Sequence, residues 1–210
     1  MFRDRTDAGR SLAFQLLNYK NNPKVLVLAL PRGGVPVAFE VASELNAALD
    51  IFVVRKLGVP GYEELAMGAI ASGGARVLNN AVIQDLAISP ETIDEVTRRE
   101  EEELHRRERV YRGGRSPLSI AGKIVILVDD GLATGSSMRA AVAAVRQEKA
   151  ARIIAAVPVG AQEICSDLSK EADEVVCTVI PRGFHAVGIW YDNFTQTTDA
   201  EVQDLMRRAA

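Results

Sequence analysis

Five short apolar runs, each of strand length, are the feature that most limits what this chain can fold into. They fall at 25–30 (VLVLAL), 51–54 (IFVV), 124–128 (IVILV), 152–159 (RIIAAVPV) and 174–180 (EVVCTVI). The runs are nearly continuous rather than alternating, as strands are when helices cover both faces of a parallel sheet. Between them lie stretches with helical spacing: 37–49 behind Pro36, the Ala-rich 136–148, and a shorter one at 161–170. Strand alternating with helix predicts an α/β domain built on a doubly wound parallel sheet. A chain of 210 residues fits one such domain, spanning 1–210.

Two segments break the alternation. Residues 67–71 and 76–78, joined by Ser72, Gly73 and Gly74, predict an inserted β-hairpin beside the main sheet. Ser89 before Pro90 predicts a helix N-cap with Pro at the first helical position, opening a long charged helix that runs to about Tyr111. Its apolar positions Ile93, Val96, Leu104 and Val110 make a thin stripe among Arg and Glu, so the expected role is a solvated helix stitched by intrahelical ion pairs; a subunit contact or lid support is the alternative. Five glycines between Gly58 and Gly74 suit a segment that moves as a lid. The insertion therefore spans 57–115 as mobile loop, hairpin and helix.

Charge and composition exclude several partners. Twenty-five Lys and Arg against 28 Asp and Glu give a net charge of −3, which provides no positive field for a phosphate backbone, so no nucleic acid is expected. The apolar runs fall far short of the roughly 20 residues that a membrane helix needs. The first residues alternate charges where a signal peptide needs an apolar stretch. Two cysteines, Cys165 and Cys177, sit in or near apolar segments and suggest a reducing cytoplasm, with neither disulfide nor zinc site.

In an open parallel sheet, ligands bind beyond the carboxyl ends of the strands where strand order reverses. For the order 2-1-3-4-5 that point lies between the first and third strands. The residues that follow those strands are Pro31, Arg32, Gly33 and Gly34, and then the run from Asp129 to Ser137. Both loops are Gly-rich and lead directly into helices. Thr134, Gly135, Ser136 and Ser137 combine helix-start N–H groups, hydroxyls and a glycine, a cradle for a phosphate monoester. Asp129 and Asp130 would repel that phosphate; they suit sugar hydroxyls or a developing positive charge beside it. A sugar 5-phosphate meets both demands. Successive N–H groups at Arg32-Gly33-Gly34 can form an anion nest.

The run VILVDDGLATGSS, residues 125–137, resembles the phosphoribosyl pyrophosphate (PRPP) signature of type I phosphoribosyltransferases: four apolar residues, two acids, then a Thr-Gly phosphate loop. Gly131 departs from it, since an aliphatic residue is usual there. Arg32-Gly33-Gly34 is similar to the family's pyrophosphate loop. Arg55-Lys56, Pro60-Gly61 and Glu63-Glu64 look like the strand end and mobile loop of purine-type members. The resemblance covers residues 25–180 and implies a stand-alone member whose acceptor is not specified.

It implies transfer of the 5-phosphoribosyl group of PRPP to a nitrogenous acceptor, a nucleobase by class, with release of pyrophosphate. Asp129 and Asp130 would hold the ribose and favour its cationic form. Ala133, Thr134, Gly135, Ser136 and Ser137 would hold the 5-phosphate, and Arg32, Gly33, Gly34, Arg55 and Lys56 the pyrophosphate. Mg²⁺ would ride mainly on PRPP, with no direct protein ligand assigned. Ala133 stands where some 6-oxopurine enzymes carry an acid, so proton handling passes to Glu63 or Glu64. The segment 181–198 would form a C-terminal hood over the acceptor, through Phe184, Val187, Trp190 and Asp192. The resemblance further implies a homodimer in the cytoplasm. Two other readings stand beside it: a non-catalytic PRPP-sensing regulator, and an unrelated sugar-phosphate or nucleotide-binding protein.

Overall fold

Alternate residues of the first strand, Val25–Ala29, enter two different cores. The computed structural model describes residues 1–209. Its elements in chain order are α1 (Arg5–Gln15), β1 (Val25–Ala29), α2 (Gly34–Leu45), β2 (Ala48–Ile51), β3 (Val54–Val59), β4 (Tyr62–Ala71), β5 (Arg76–Leu78), α3 (Asn80–Asp85) and α4 (Pro90–Arg112). There follow β6 (Ile124–Val128), α5 (Ser136–Gln147), β7 (Arg152–Val159), α6 (Gln162–Leu168), β8 (Glu174–Val179) and α7 (Asp199–Arg208). Val25, Val27 and Ala29 join Ile126 and Val128 in a core closed by α1, α2 and α7. Leu26 and Leu28 join Val125 and Leu127 in a second core under α5 and α6. Each fully buried Leu, Ile or Val contributes about 1.5–3 kcal/mol, and both faces gain from the same strands. That two-sided burial is why the runs are apolar throughout.

The five parallel strands lie in the order β2-β1-β6-β7-β8, which is 2-1-3-4-5 when only these strands are counted. The reversal point falls between β1 and β6, as the sequence predicts. β3, β4 and β5 form a separate antiparallel sheet.

Three expectations need correction. The second strand is not 51–54 but Ala48–Ile51, and its apolar continuation, Phe52 and Val53, links it to a different sheet that begins at Val54. The polar Asp50 hides the strand in the sequence. It is buried because Arg112 donates to it from Nε at 2.9 Å while the Leu118 N–H donates to its other oxygen at 3.0 Å. Next, the expected loop after residue 57 is regular: β3 pairs antiparallel with β4, through a bulge at Gly58 and a tip at Pro60-Gly61, and β4 then pairs with β5. Finally, α1 and α7 lie outside the expected pattern of elements. They owe their place to tertiary packing, with Leu12 and Ala13 of α1 and Val202 and Met206 of α7 buried.

The long helix α4 starts as its sequence predicts. Ser89 Oγ accepts the Thr92 N–H at 3.2 Å, and Gly113 ends the helix with φ 59°. Its outer face carries the expected ion pairs, such as Glu103 with Arg107 at 2.7 Å. Its inner face is more than a thin stripe, since Ile93, Val96, Leu104 and Tyr111 are buried and Arg112 reaches Asp50 and the Ile51 carbonyl.

Candidate active site

The Arg32-Gly33-Gly34 turn follows β1, and Asp129 follows β6, so parallel pairing of these strands sets the two loops side by side. The approach is close enough to dictate residue type. A Cβ on Gly33 would lie 2.0 Å from Asp130 Oδ2, and one on Gly34 would lie 2.6 Å from the Val128 carbonyl oxygen. Gly33 is thus the N-cap of α2 and the wall against which the Asp130 carboxylate rests. The Pro31–Arg32 peptide bond is cis.

The acid pair is half-buried. Asp129 Oδ1 accepts the Asp130 N–H at 2.8 Å. Burial, reinforced by the neighbouring Asp130 charge, pushes the Asp129 carboxyl well above the ordinary carboxylate range. Burial also raises Asp130, against the opposing pull of Arg5. The Arg5 guanidinium donates from Nε to Asp130 Oδ2 at 2.8 Å, and its Nη2 lies 2.8 Å from the same oxygen as an ion pair. Nothing in the sequence signals Arg5: a lone cation in a charged N-terminal run is invisible until α1 folds beneath the acid loop.

Beyond the acids, Leu132 is buried while Ala133, Thr134, Ser136 and Ser137 line the exposed approach to α5. Gly135 takes φ 74° as the N-cap, and Thr134 Oγ1 lies 3.2 Å from Ser136 Oγ. Gly135 supplies no side-chain cap; the Ser136 N–H reaches Thr134 Oγ1 at 3.5 Å, which leaves the N–H groups of Ser137 and Met138 for an incoming anion.

Four other charges expected here are engaged elsewhere. Arg55 on β3 donates from Nε to Glu100 of α4 at 3.0 Å. Lys56 Nζ bonds Glu64 at 3.1 Å across the hairpin, and Glu63 accepts the Gly61 N–H at 3.2 Å. No hydrogen bond or ion pair joins any of the four to Arg32–Gly34 or to 129–137 among the described residues. Arg32 itself lies 3.4 Å from Asp199 at the start of α7, which also accepts from the Tyr111 hydroxyl at 2.8 Å.

The hood segment returns to the acid loop. Phe184, Val187 and Trp190 pack on a small core of Phe2, Ala8, Val159 and Tyr191. Val187 lies directly against the acid loop: a Cβ on Gly131 would meet its Cγ1 at 2.4 Å. The departure from the family signature at Gly131 is therefore matched by a hood side chain in the vacated space. The Tyr191 hydroxyl donates to the Asp130 carbonyl. Asp192 is exposed, and its N–H bonds the Phe2 carbonyl at 2.8 Å.

The family model described as the phosphoribosyl transferase domain matches residues 3–191, which includes α1, both loops and the hood segment up to Tyr191. The chain belongs to this family. Two Mycobacterium tuberculosis proteins, provisionally named phosphoribosyl transferases, are each 48% identical over 209 residues; the match covers 100% of this chain and 47% of theirs. The chain thus spans about half the length of these curated relatives. The crystal structure of TT1426 from Thermus thermophilus is 40% identical, covers 100% of this chain and 99% of its own, and superposes with a TM-score of 0.88. An Aquifex aeolicus protein, AQ2163, shares the fold at 12% identity, with coverage of 96% and 84% and a TM-score of 0.53. This phosphoribosyl transferase domain has no helix long and apolar enough to cross a membrane among its described residues.

Proposed function

We propose that the domain transfers the 5-phosphoribosyl group of PRPP to a nitrogenous acceptor of the nucleobase class, releasing pyrophosphate. The observation that carries this reading is the seating of Gly33 against Asp130, which sets the Arg32-Gly33-Gly34 turn beside the acid pair that leads into the start of α5. A phosphate binds at Thr134, Gly135, Ser136 and Ser137, with Ala133 lining the approach. The diphosphate lies along Arg32-Gly33-Gly34, with Arg55 and Lys56 able to join only by giving up their present carboxylate partners.

The two acids take different roles. Asp130 has its charge matched by Arg5, so it serves chiefly to orient ribose hydroxyls. Asp129 has no such partner. Its raised pKa makes the ionised form costly until positive charge faces it, so the interaction strengthens as the ribose ring becomes cationic. A carboxylate about 4 Å from that charge contributes about 4 kcal/mol at an effective dielectric near 20. Even half of that is more than tenfold in rate.

No cluster of three or more His, Cys, Asp or Glu side chains suited to a metal occurs among the described residues. In this reading Mg²⁺ would be carried mainly by the oxygens of PRPP, where it would neutralise the leaving diphosphate. Val187, Phe184, Trp190 and Asp192 border the acceptor side, and a homodimer in the cytoplasm completes the proposal.

The engagement of Arg55, Lys56, Glu63 and Glu64 by local partners gives some support to a second reading, a PRPP sensor without turnover. A thermal-shift and turnover screen of nucleobases with PRPP and Mg²⁺ separates the two. Pyrophosphate release with one acceptor supports the enzyme; a PRPP-induced shift with no turnover supports the sensor; no shift at all contradicts both.

A further inference from the structure

Arg5 is bound on every side that offers a partner. Besides its two contacts to Asp130 Oδ2, its Nη1 donates to the Thr195 carbonyl at 2.7 Å. Its guanidinium carbon lies 4.0 Å from the centre of the Phe194 ring, a cation–π stack. Phe194 in turn packs on Tyr191 with ring centres 4.9 Å apart. The side chains of Arg5 and Asp130 are only 12% and 16% exposed. The strand-like entry to α1 is itself pinned to the hood, because the Phe2 N–H bonds the Trp190 carbonyl at 2.8 Å and the Asn193 N–H bonds the Arg3 carbonyl at 2.9 Å. A long flexible cation is thereby held in one geometry, with its rotamer entropy already lost before any ligand arrives.

We infer that Arg5 is a positioning residue for the sugar-binding carboxylate: by engaging Oδ2 of Asp130 it leaves Oδ1 for a ribose hydroxyl, and it ties that carboxylate to the hood through Thr195 and Phe194. Among the described residues no hydrogen bond reaches Oδ1. The wall at Gly33 blocks the carboxylate from turning away on one side, and Arg5 fixes it on the other. The charged and titratable groups that face Asp130 are Arg5 from α1, Asp129 from its own loop and Tyr191 behind the hood. Only Arg5 is a cation. The sugar part of this inference rests on the proposed function; the link between Arg5 and Asp130 does not.

The test compares Arg5→Met and Arg5→Lys with the parent protein and with Asp130→Asn. Carbon-13 NMR of the Asp130 carboxyl in ligand-free protein reads the link directly. Arg5→Met removes the one favourable charge and should raise the Asp130 titration midpoint, while Arg5→Lys should leave it near the parent's. With PRPP and Mg²⁺, Arg5→Met should weaken binding roughly 10–100-fold, since the loss is that of hydrogen bonds to a charged group. Arg5→Lys should recover affinity to within about threefold, and in the Asp130→Asn background Arg5→Met should add little. If Arg5→Met does not fold, the Lys variant and Phe194→Leu, which removes the stack on Arg5 and the ring contact with Tyr191 but keeps the ion pair, carry the same NMR and binding readouts. PRPP affinity that falls with Asp130→Asn but ignores Arg5 overturns the inference and spares the proposed function. PRPP binding absent even from the parent protein sinks the proposed function and the sugar role with it. An unmoved Asp130 titration in Arg5→Met overturns the inference in either case.

Discussion

At the end of β6, Asp129 and Asp130 stand side by side, and a single cation, Arg5, is hydrogen-bonded to Asp130 alone. On the hairpin of β3 and β4, by contrast, Lys56 has Glu64 and Arg55 has Glu100. The first region holds like charges together half-buried, which costs free energy and raises both carboxyl pKa values. The second neutralises its charges locally, and Glu64 is fully exposed. Exposed pairs of that kind contribute about 0–1 kcal/mol. Electrostatic cost that the fold does not relieve is a mark of a site waiting for a ligand; cost already relieved is a mark of structure.

The largest effect should come from a buried acid that, unlike Asp129, has its counter-ion. Asp50 and Arg112 are each 7% exposed at the side chain and 2.9 Å apart. Asp50→Ala should lower stability in urea by about 3 kcal/mol, because it takes from a buried guanidinium its closest buried counter-ion and leaves it Glu108 and the Ile51 carbonyl. A loss below about 1 kcal/mol would break the distinction between paired and unpaired buried acids. Gly33→Ala comes next. The added methyl has no space against Asp130, so overpacking of about 1–3 kcal/mol should appear as a PRPP affinity roughly tenfold to a hundredfold weaker by calorimetry.

The third effect has the opposite sign. An acid whose folded pKa is raised above its unfolded value of about 3.9 stabilises the fold fully below that value. That contribution is lost as pH rises through the folded pKa. Asp129 is such an acid, so Asp129→Asn should melt higher than the parent at pH 8, with the gain shrinking towards pH 4. A variant that melts lower at pH 8 would mean that Asp129 is satisfied without ligand. The smallest effect is expected on the hairpin. Glu64→Gln should change PRPP affinity less than threefold and turnover less than about tenfold; a fall of 10²–10⁴ in kcat at unchanged affinity would instead give the hairpin the proton-handling role.

The contrast also separates what the sequence reveals from what it hides. The parallel strands, their order and the Asp129–Ser137 loop are legible because each depends on local pattern: continuous apolar runs, paired acids at a strand end, Gly and hydroxyls at a helix start. The second strand is easily misplaced because its one polar residue, Asp50, is tolerated only through Arg112, 62 positions away. The segment after residue 57 reads as a loop because glycines at 58, 61 and 68 weaken the strand pattern, while β3–β4 pairing supplies the hydrogen bonds that hold it. Arg5 has no signal at all. Its role comes from α1 packing beneath β7 and β8, which brings residue 5 to residue 130. Gly131 gives a signal as a departure from the family pattern, but only Val187, 56 positions later, explains it.

The most direct test of the account is isothermal calorimetry of PRPP with Mg²⁺ on the parent protein and on the Asp129→Asn, Asp130→Asn double variant. Two hydrogen-bonding carboxylates facing the sugar are together expected to carry a factor of roughly a hundred or more in affinity. The account predicts that the parent binds, that the double variant stays folded at neutral pH, and that it loses at least that factor. Equal affinity in the two proteins would remove the acid pair from the binding site and contradict the account at its centre.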